Sequence, residues 1–228
     1  MTTIDVLMPA RDEAPTVAAN IAAAASCRFI RNVIVIDDGS TDGTGDIATA
    51  AGAKVVVREA AAGSKARAME CGVETSDADA FLFVDADCTG LTAAHLDAIC
   101  APFLDGRAEL SIGAFDYGRF LNPMVLRWPP LSGERVIPRW VWDAIPQKLD
   151  GYTIEVRINQ VIAERRLRTV VRTMNGVYHR TKRVKLGRAA GLRSTWTMYR
   201  ELLRIVWPIG DVRLRTYWFY LRGLSVER

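Results

Sequence analysis

The sequence predicts an α/β fold built on a mostly parallel sheet. Short apolar runs alternate with alanine-rich or amphipathic segments through the first half of the chain, which is the pattern of βαβ units. Phe81, Leu82, Phe83 and Val84 are four consecutive large apolar residues, as expected for a strand buried on both faces. At 228 residues, the chain is long enough for one such domain with an appendage.

The individual elements follow from the apolar pattern and the residues that interrupt it. Pro9 is expected to end the first strand, and Pro15 suits the first turn of the helix after it. Ser40 or Thr41 is expected to cap the second helix, and Thr92 or a neighbour the fourth. We predict strands over residues 4–8, 33–36, 54–57, 81–85, 108–114 and 167–177, and helices over 14–26, 42–51, 63–74, 91–104, 136–144, 154–166 and 182–206.

Two carboxylates, Asp85 and Asp87, follow the buried strand directly. Residues two apart on a strand point the same way, so the pair converges at the carboxyl end of the strand, where open α/β sheets bind ligands. Magnesium is usually held by one or two carboxylates together with substrate phosphates. An isolated pair of this kind is more often an acidic surface turn, so the interpretation depends on the other loops.

Three further polar loops are expected at the same edge of the sheet. They span residues 9–13, 37–40 and 63–65, and each follows a predicted strand. Together with the aspartate pair they predict an acidic, metal-competent cleft that contains one lysine. Turn and capping chemistry would use residues 37–40 in the same way and stays an alternative for that loop. No glycine-rich dinucleotide or P-loop pattern follows the first strand, which disfavours those two functions.

Three sequence blocks together resemble the nucleotide-sugar half of family 2-type GT-A glycosyltransferases. The blocks are residues 6–13 (VLMPARDE), 35–44 (VIDDGSTDGT) and 83–87 (FVDAD). Residues 131–135 (LSGER) and 150–155 (DGYTIE) resemble the acceptor-side segment of glucosyl-3-phosphoglycerate synthases and polyprenyl-phosphate sugar transferases. The resemblance implies a GT-A fold with a nucleotide-sugar-binding half (1–115), an acceptor-binding half of the same domain (116–181) and a basic, aromatic helical C-terminal extension (182–228).

The resemblance also implies roles for individual residues. In the family a divalent metal, Mg²⁺ or Mn²⁺, bridges the diphosphate, which makes Asp87 the firmer ligand and Asp85 a contact to ribose or metal. Glu134 would hold sugar hydroxyls or the acceptor, and would be the nearest general base if the acceptor is an alcohol. The residues implied to contact the nucleoside, ribose or diphosphate are Pro9, Arg11, Glu13, Asp37, Asp38, Gly63 and Lys65.

The chain contains two histidines, His95 and His179. Related synthases place a late histidine on the same metal, so the resemblance implies that His179 is a third ligand beside Asp85 and Asp87. A structural role is the alternative for His179. His95 falls inside a predicted helix, and we expect it to be structural or exposed.

Charge is divided unevenly along the chain. Residues 1–150 contain 13 Lys and Arg against 21 Asp and Glu, a net of −8, whereas residues 151–228 contain 17 against 5, a net of +12. The basic part suits a phosphorylated acceptor, anionic lipid or nucleic acid. Its aromatic residues at 196–207 and 217–220 suit core packing or a homodimer contact, and also the surface of an anionic membrane.

Several absences bear on the expected location of the protein. The four cysteines form no CxxC pair, and the sequence contains neither a signal peptide pattern nor an apolar run long enough to span a bilayer. We therefore expect a cytoplasmic protein, with peripheral contact at the inner face of the membrane left open by the aromatic C-terminal part.

The function expected from the sequence is metal-dependent glycosyl transfer. The donor would be a nucleoside diphosphate sugar, and the acceptor a phosphate-bearing molecule, such as a polyprenyl phosphate or phosphoglycerate, or a hydroxyl. The alternative is a catalytically idle GT-A-like scaffold that binds anionic lipid or nucleic acid through the basic C-terminal part, with nucleic acid the less favoured partner. A nucleotidyltransferase is disfavoured because no glycine-rich loop with activating Arg or Lys follows Met8.

Overall fold

An eight-stranded sheet organises the computed structural model, which describes residues 2–58, 64–116, 132–145, 153–179 and 222–227. The strands of this sheet are β1 (Ile4–Ala10), β2 (Ile30–Asp37), β3 (Lys54–Val57), β4 (Ala80–Phe83), β6 (Leu110–Phe115), β7 (Arg135–Pro138), β8 (Thr169–Met174) and β10 (Leu224–Glu227). A separate two-stranded sheet joins β5 (Cys88–Thr89) to β9 (Tyr178–His179). The described helices are α1 (Val17–Ala25), α2 (Thr44–Ala50), α3 (Lys65–Thr75), α4 (Ala93–Leu104), α5 (Arg139–Asp143) and α6 (Thr153–Arg165).

The strand order of the large sheet is β10-β8-β6-β7-β4-β1-β2-β3. Every neighbouring pair is parallel except those that involve β7, which runs antiparallel to both β4 and β6. The predicted α/β class and mostly parallel sheet are therefore confirmed. Strand β4 lies inside the sheet, between β1 and β7, and its four residues are all buried.

Apolar side chains cover both faces of the sheet. Alternate residues of β1 divide between two cores, with Val6 and Met8 in one and Leu7 in the other. The first core is completed by α1 and α4, and the second by α3, α5 and α6. Trp142 of α5 is fully buried in the second core, where its ring lies 5.5 Å from that of Phe83. The central strands are thus held from both sides, which fixes the positions of the loops at their ends.

Strand β1 runs past Pro9, so the prediction that Pro9 ends the strand is wrong. Asp38 donates its backbone N–H to Ala10, on the β2 side of β1, and Val84 donates to Leu7, on the β4 side. Pro9 lies two residues beyond Leu7 and so faces the β4 side, where the pairing has already ended at Leu7 and Phe83. The missing N–H of Pro9 therefore removes no ladder hydrogen bond.

The predicted helix over residues 136–144 is wrong in its first half. Residues 135–138 form β7, and only Arg139–Asp143 is helical, with Pro138 as the N-cap residue. Val136 and Ile137 are fully buried, and Leu82 and Phe81 are their partners on β4. Because the backbone of a buried central strand needs a partner on each side, tertiary pairing decides the structure of this short apolar run.

The remaining predicted elements in the described residues are present, with ends displaced by about three residues or fewer. Pro15 precedes α1, whose N-cap is Thr16, so the prediction that Pro15 lies in the first helical turn is wrong. Thr92 is the N-cap of α4, as predicted. The predicted helix over residues 182–206 and the aromatic C-terminal extension lie outside the described residues. The predicted boundaries after residues 115 and 181, between the two halves of the domain and the C-terminal extension, stay predictions. None of the helices in the described part of the chain is both long and apolar enough to cross a bilayer.

Candidate active site

Asp85 and Asp87 lie in the turn that follows β4, at the carboxyl edge of the sheet. Both are half-buried, and the residue between them, Ala86, is buried. Thr16 donates its hydroxyl to the Ala86 carbonyl at 2.8 Å, and Asn20 donates its amide to the carbonyls of Ala86 and Cys88 at 2.9 and 3.0 Å. Helix α1 therefore holds the aspartate turn from behind, a contribution of Thr16 and Asn20 that sequence reasoning missed.

Lys65 bridges two carboxylates from distant parts of the chain. Its Nζ lies 2.7 Å from Asp85 Oδ1 and 3.0 Å from Glu155 Oε1. Lys65 is the first residue of α3, Asp85 follows β4 and Glu155 belongs to α6, so three elements meet at this ammonium group. Burial alone would lower the pKa of Lys65, but the charges of Asp85 and Glu155 hold that pKa well above its ordinary value. Lys65 therefore stays positively charged in the candidate site.

Glu155 is a residue of the candidate site that sequence reasoning left without a role. Its side chain is 5 % exposed, and its Oε2 is buried without a hydrogen-bond partner in the described structure, while Oε1 accepts from Lys65. One turn further along α6, the side-chain amide nitrogen of Asn159 is also buried without a hydrogen-bond partner in the described structure. The spacing of four residues at the start of an amphipathic helix was the available signal, because it places both side chains on one face. Two buried polar atoms on this face thus have no hydrogen-bond partner in the described structure.

Arg135 connects that helix face to the turn beside Asp85. Its guanidinium group is buried and donates to the Ser132 carbonyl at 3.0 and 2.6 Å and to Asn159 Oδ1 at 3.0 Å. At Gly133, a Cβ would overlap the carboxylate of Asp85, so that carboxylate packs directly on the glycine backbone. A larger residue at position 133 would displace Asp85, which explains the need for glycine in this turn.

Glu134 is fully buried rather than open to the cleft. Its Oε1 accepts from the Asp85 backbone N–H at 3.3 Å and from the Cys88 thiol at 3.2 Å, and Ser132 Oγ lies 2.6 Å from Oε2. These contacts fix the backbone of the aspartate turn. The role in sugar or acceptor contact implied for Glu134 stays a prediction, and the geometry supports positioning of Asp85 instead.

Strand β9 brings His179 to the aspartate turn. Cys88, the residue after Asp87, pairs with His179 in the antiparallel ladder of β5 and β9. The two segments approach closely at Gly90, where a Cβ would meet the carbonyl oxygen of Gly176. The His179 side chain lies outside the described structure, so metal ligation by His179 stays a prediction, but its backbone position is the one that prediction requires. His95 is structural, since it completes a capping box with Thr92 at the start of α4.

The loops after β1 and β2 are joined by reciprocal hydrogen bonds. Asp12 donates its backbone N–H to Ser40 Oγ at 3.0 Å, and Thr41 donates its N–H to Asp12 Oδ1 at 2.9 Å. Glu13 donates its N–H to Thr44 Oγ1 at 2.8 Å. Because Ser40 and Thr41 are used between the loops, neither caps α2, and the prediction that one of them does is wrong. The N-cap is Gly43, with φ of 85°.

Asp37 and Asp38 hold the loops around the predicted nucleoside pocket. Asp37 Oδ1 accepts the backbone N–H of Ser40 at 2.9 Å, and its side chain forms part of the wall of a groove of about 510 Å³ beside α2. Asp38 accepts the backbone N–H of Ser64 at 2.9 Å and forms an ion pair with Arg58. Asp38 therefore connects the end of β2 to the start of α3 and so to Lys65.

The other residues implied for nucleotide contact are placed as follows. Pro9 is half-buried near the end of β1, Arg11 is exposed in the loop after it, and Glu13 is buried. Gly63 lies outside the described residues. The structure thus brings Pro9, Glu13 and the two loop aspartates to the same edge as Asp85 and Asp87, as predicted, while the contact of each with a nucleotide stays a prediction.

The described side chains fit a metal that is held jointly with a ligand. Among residues 2–58, 64–116, 132–145, 154–178 and 222–227, no three His, Cys, Asp or Glu side chains are grouped closely enough to hold an ion. Asp85 and Asp87 supply carboxylate oxygens, the hard ligands that Mg²⁺ and Mn²⁺ accept, and such sites usually complete their coordination with substrate phosphates and water. The buried, unpartnered Oε2 of Glu155 gives the cleft a further polar atom.

Fold and site together define a class of protein. A mostly parallel sheet with an Asp-Asp-Gly-Ser loop after its second strand and an Asp-x-Asp turn after its central strand is the arrangement of the GT-A fold. The chain belongs to the glycosyl transferase family 2, whose family model matches residues 5–140. The predicted family and fold are therefore confirmed.

Individual relatives extend the comparison. Over 128 residues the chain is 34% identical to the glucosyl-3-phosphoglycerate synthase of Mycolicibacterium paratuberculosis, an alignment that covers 53% of this chain and 39% of that protein. The chain is also similar to the Mycobacterium tuberculosis enzyme of the same name in complex with Mn²⁺, UDP and glucosyl-3-phosphoglycerate, with a TM-score of 0.74 at 24% identity, covering 90% of this chain and 78% of that one. The same enzyme with Mn²⁺, UDP-glucose and phosphoglyceric acid gives 0.70 at 24%, covering 87% and 79%.

Proposed function

We propose that the protein is a divalent-metal-dependent glycosyltransferase that moves a sugar from a nucleoside diphosphate donor to a phosphate-bearing acceptor. The observation that carries the proposal is the meeting of Asp85, Lys65 and Glu155 beside Asp87 at the carboxyl end of β4. Two carboxylates for a metal and one cation for a diphosphate are the groups that charged donor sugars require.

The chain's own residues have separable tasks in this reaction. Asp87 and Asp85 hold the metal, and Lys65, at the start of α3, contacts the departing diphosphate. Pro9, Arg11, Glu13, Asp37 and Asp38 surround the nucleoside. Glu155 binds a donor or acceptor hydroxyl through its Oε2, because that oxygen is buried and has no protein partner in the described structure.

The metal, when bound, neutralises negative charge that develops on the leaving nucleoside diphosphate, as a Lewis acid does. Lys65 adds a second positive charge on the same side of the cleft, and the aspartate turn is kept rigid by Glu134 and Asn20. A rigid arrangement of charges stabilises the transition state because little reorganisation is needed during the reaction.

Phosphoglycerate is the acceptor that we favour. Enzymes of the same fold bind phosphoglyceric acid together with Mn²⁺ and UDP-glucose. The C-terminal part of this chain has a net charge of +12, which suits an acceptor that carries both a phosphate and a carboxylate. UDP-glucose is the corresponding donor to test first.

The test is a thermal-shift panel of UDP-, GDP- and dTDP-sugars, each with Mn²⁺, with Mg²⁺ and without metal. A ligand that binds the folded state raises the melting temperature, so a shift with one nucleotide that requires metal would identify the donor base. Transfer to 3-phosphoglycerate or to a short polyprenyl phosphate is then followed by release of the nucleoside diphosphate. Absence of any metal-dependent shift, together with a shift from anionic lipid vesicles, would favour the idle scaffold.

A further inference from the structure

Arg135 is a buried arginine behind the candidate site. It begins β7 and is 1 % exposed. Its Nε and Nη2 donate to the Ser132 carbonyl at 3.0 and 2.6 Å, and its Nη1 donates to Asn159 Oδ1 at 3.0 Å. A guanidinium group presents its N–H donors in a rigid, planar arrangement, so it fixes the groups that it binds relative to each other. Arg135 therefore holds the turn at residues 132–134 and helix α6 at one separation.

The turn at residues 132–134 lies directly against Asp85. A Cβ added to Gly133 would come within 2.6 Å of Asp85 Cγ, so the glycine backbone and the carboxylate are in contact. Strand β6 also holds this turn, because Gly113 donates its N–H to the Glu134 carbonyl at 2.8 Å. A shift of Gly133 would therefore displace the Asp85 carboxylate or open a gap behind it.

The guanidinium group also completes a ring of contacts around the site. Asn159 lies one helical turn after Glu155 on α6. Lys65 joins Glu155 Oε1 to Asp85 Oδ1, at 3.0 and 2.7 Å. The ring thus runs from Asp85 through the turn, the guanidinium group and α6 to Glu155, and Lys65 closes it. The separation of the turn from α6, which Arg135 sets, is also the separation that Lys65 has to bridge.

We propose that Arg135 is a positioning residue for glycosyl transfer, which sets the distance between Asp85 and Glu155 across the cleft. The inference rests on the proposed function, because it takes Asp85 as a metal ligand and Glu155 as a contact to a substrate hydroxyl. A misplacement of about 1 Å can lower the rate of an enzyme by about a hundredfold, so the expected effect is on the rate more than on the stability of the fold.

Arg139 provides a matched control for loss of a buried arginine contact. Its guanidinium group also donates to two backbone carbonyls, those of Ala78 at 2.9 Å and Ser76 at 2.6 Å. These carbonyls precede β4, at the opposite end of that strand from Asp85. Arg139→Gln should therefore lower the free energy of unfolding and leave the aspartate turn in place.

The other variants divide the contacts of Arg135. Arg135→Met removes the guanidinium group at similar size, and Arg135→Lys keeps a positive charge without the planar fork. Asn159→Leu removes the acceptor on α6, and Arg135→Met combined with Asn159→Leu replaces both partners with apolar side chains. Thermal unfolding of the full chain first establishes which variants are folded. If Arg135→Met is not folded, Arg135→Lys and Asn159→Leu carry the same comparison with Arg139→Gln.

The first measurement is amide hydrogen exchange at Asp85 in the protein without ligands. This N–H donates to Glu134 Oε1 at 3.3 Å and so reports on the turn. We expect exchange at Asp85 to be at least about tenfold faster in Arg135→Met than in the unmodified protein, because the turn opens locally, and unchanged in Arg139→Gln. Exchange at Asp85 that is the same in Arg135→Met as in the unmodified protein would overturn the inference.

The second measurement is release of UDP from UDP-glucose in the presence of 3-phosphoglycerate, at increasing concentrations of Mn²⁺. For Arg135→Met we expect kcat to fall about a hundredfold and the Mn²⁺ concentration for half-maximal activity to rise. Arg135→Lys should be intermediate, and Arg139→Gln should match the unmodified protein.

The double variant separates positioning from stability. Replacing both polar partners with apolar groups should recover part of the stability that Arg135→Met loses, because Asn159 no longer leaves a buried acceptor unpaired. The kcat should stay low, since the turn is still not held. Recovery of kcat together with stability, or an equal loss of kcat in Arg139→Gln, would show a structural role only and overturn the inference.

The two measurements also distinguish this inference from the proposed function. If the unmodified protein transfers sugar and folded Arg135→Met transfers it equally fast, the inference fails and the proposed function stands. If the unmodified protein transfers sugar from none of the donors, the proposed function has failed, and exchange at Asp85 still decides whether Arg135 holds the turn.

Discussion

The two edges of the sheet both carry buried carboxylates, but they satisfy them differently. At the amino edge, Asp5 is fully buried and accepts two hydrogen bonds from Arg31, at 3.0 and 2.8 Å, one from Ser76 at 2.6 Å and one from Asn32 at 3.1 Å. At the carboxyl edge, Glu155 is almost as buried, yet one of its oxygens has no partner in the described structure.

This difference separates acids that stabilise the fold from acids kept for a ligand. A buried carboxylate with every oxygen bonded holds two elements together, whereas one left partly unsatisfied costs free energy that a bound ligand or water can recover. We therefore expect substitutions at the amino edge to affect mainly stability and substitutions at the carboxyl edge to affect mainly the proposed activity.

Asp87→Asn should have the largest effect at the carboxyl edge. The amide keeps the shape but loses the charge that holds the metal, so we expect glycosyl transfer to fall at least about a thousandfold. Thermal unfolding without ligands should change little, since the half-buried side chain leaves the turn held by Asn20 and Thr16. Steady-state kinetics measure the rate of glycosyl transfer, and calorimetry measures the thermal unfolding. Full activity in this variant would show that the Asp87 charge is not needed for glycosyl transfer, and the comparison of the two edges would then fail.

Asp5→Ala should have the largest effect on stability. It removes the acceptor that Arg31, Ser76 and Asn32 share, and although the Arg31 side chain is 36 % exposed, the loss of these hydrogen bonds costs about 3 kcal/mol in the free energy of unfolding. Urea denaturation measures this cost. Metal-dependent nucleotide binding by the folded variant should remain as it is in the unmodified protein, and a loss of that binding would show that the two edges are not independent.

The acid dependence of stability offers a second test of the amino edge. Burial alone would raise the pKa of Asp5, but hydrogen bonds from Arg31 and Ser76 hold that pKa below its ordinary value. A lowered pKa in the folded state contributes stability above the pKa of the unfolded chain, about 4, and this contribution is lost as the pH falls through the folded value. The stability gap between the unmodified protein and Asp5→Asn should thus narrow below about pH 4; urea titrations at several pH values would reveal a constant gap if this is wrong.

Asn20→Ala should affect both measurements by a smaller amount. The substitution leaves the carbonyls of Ala86 and Cys88 without their shared donor, at a cost of about 2 kcal/mol in the free energy of unfolding. The looser turn should also weaken metal-dependent nucleotide binding a few-fold. Asn20→Asp is the matched control, because aspartate has the shape of asparagine but no N–H donor. We expect Asn20→Asp to be no more stable than Asn20→Ala. Unchanged binding by both folded variants would argue that the turn does not depend on α1.

Asp77→Asn should have the smallest effect. Asp77 pairs with Arg31 at 2.5 Å, but its side chain is 89 % exposed, and exposed ion pairs contribute little. We expect a melting temperature within experimental error of the unmodified protein. A clear decrease would show that Arg31 needs both of its carboxylates to hold Asp5.

The sequence was informative where local pattern and tertiary structure agree. The Phe81 to Val84 run, the strand at 54–57 and the Thr92 cap were predicted because a buried strand and a capped helix each have a local signature. Strand β7 was mistaken for a helix because an apolar run as short as Val136 to Pro138 carries no decisive period, and the β4 partner Phe81 is more than fifty residues away.

The candidate site was predicted in part for the same reason. Asp85, Asp87 and Lys65 end strands or begin helices, and parallel strands place such ends at one edge. Thr16 and Asn20 gave no signal because their partners are backbone carbonyls 66 to 70 residues away. Glu155 lies in a segment whose resemblance was recognised, but its ion pair with Lys65 depends on the packing of α6, which no local pattern specifies.

The antiparallel strand β7 also has a consequence for how the chain folds. In the described sheet, β7 alone joins β6, β8 and β10 to β4, β1, β2 and β3. Strand β7 pairs with β4 across 52 to 58 residues of the chain, and β1 pairs with β4 across 76, whereas β2 pairs with β1 and β3 across only 20 to 27 residues, and the closure of long loops is slow. Refolding should therefore show early hydrogen-exchange protection in β1 to β3 and late protection in β4, with the aspartate turn that follows β4 completed in the last step.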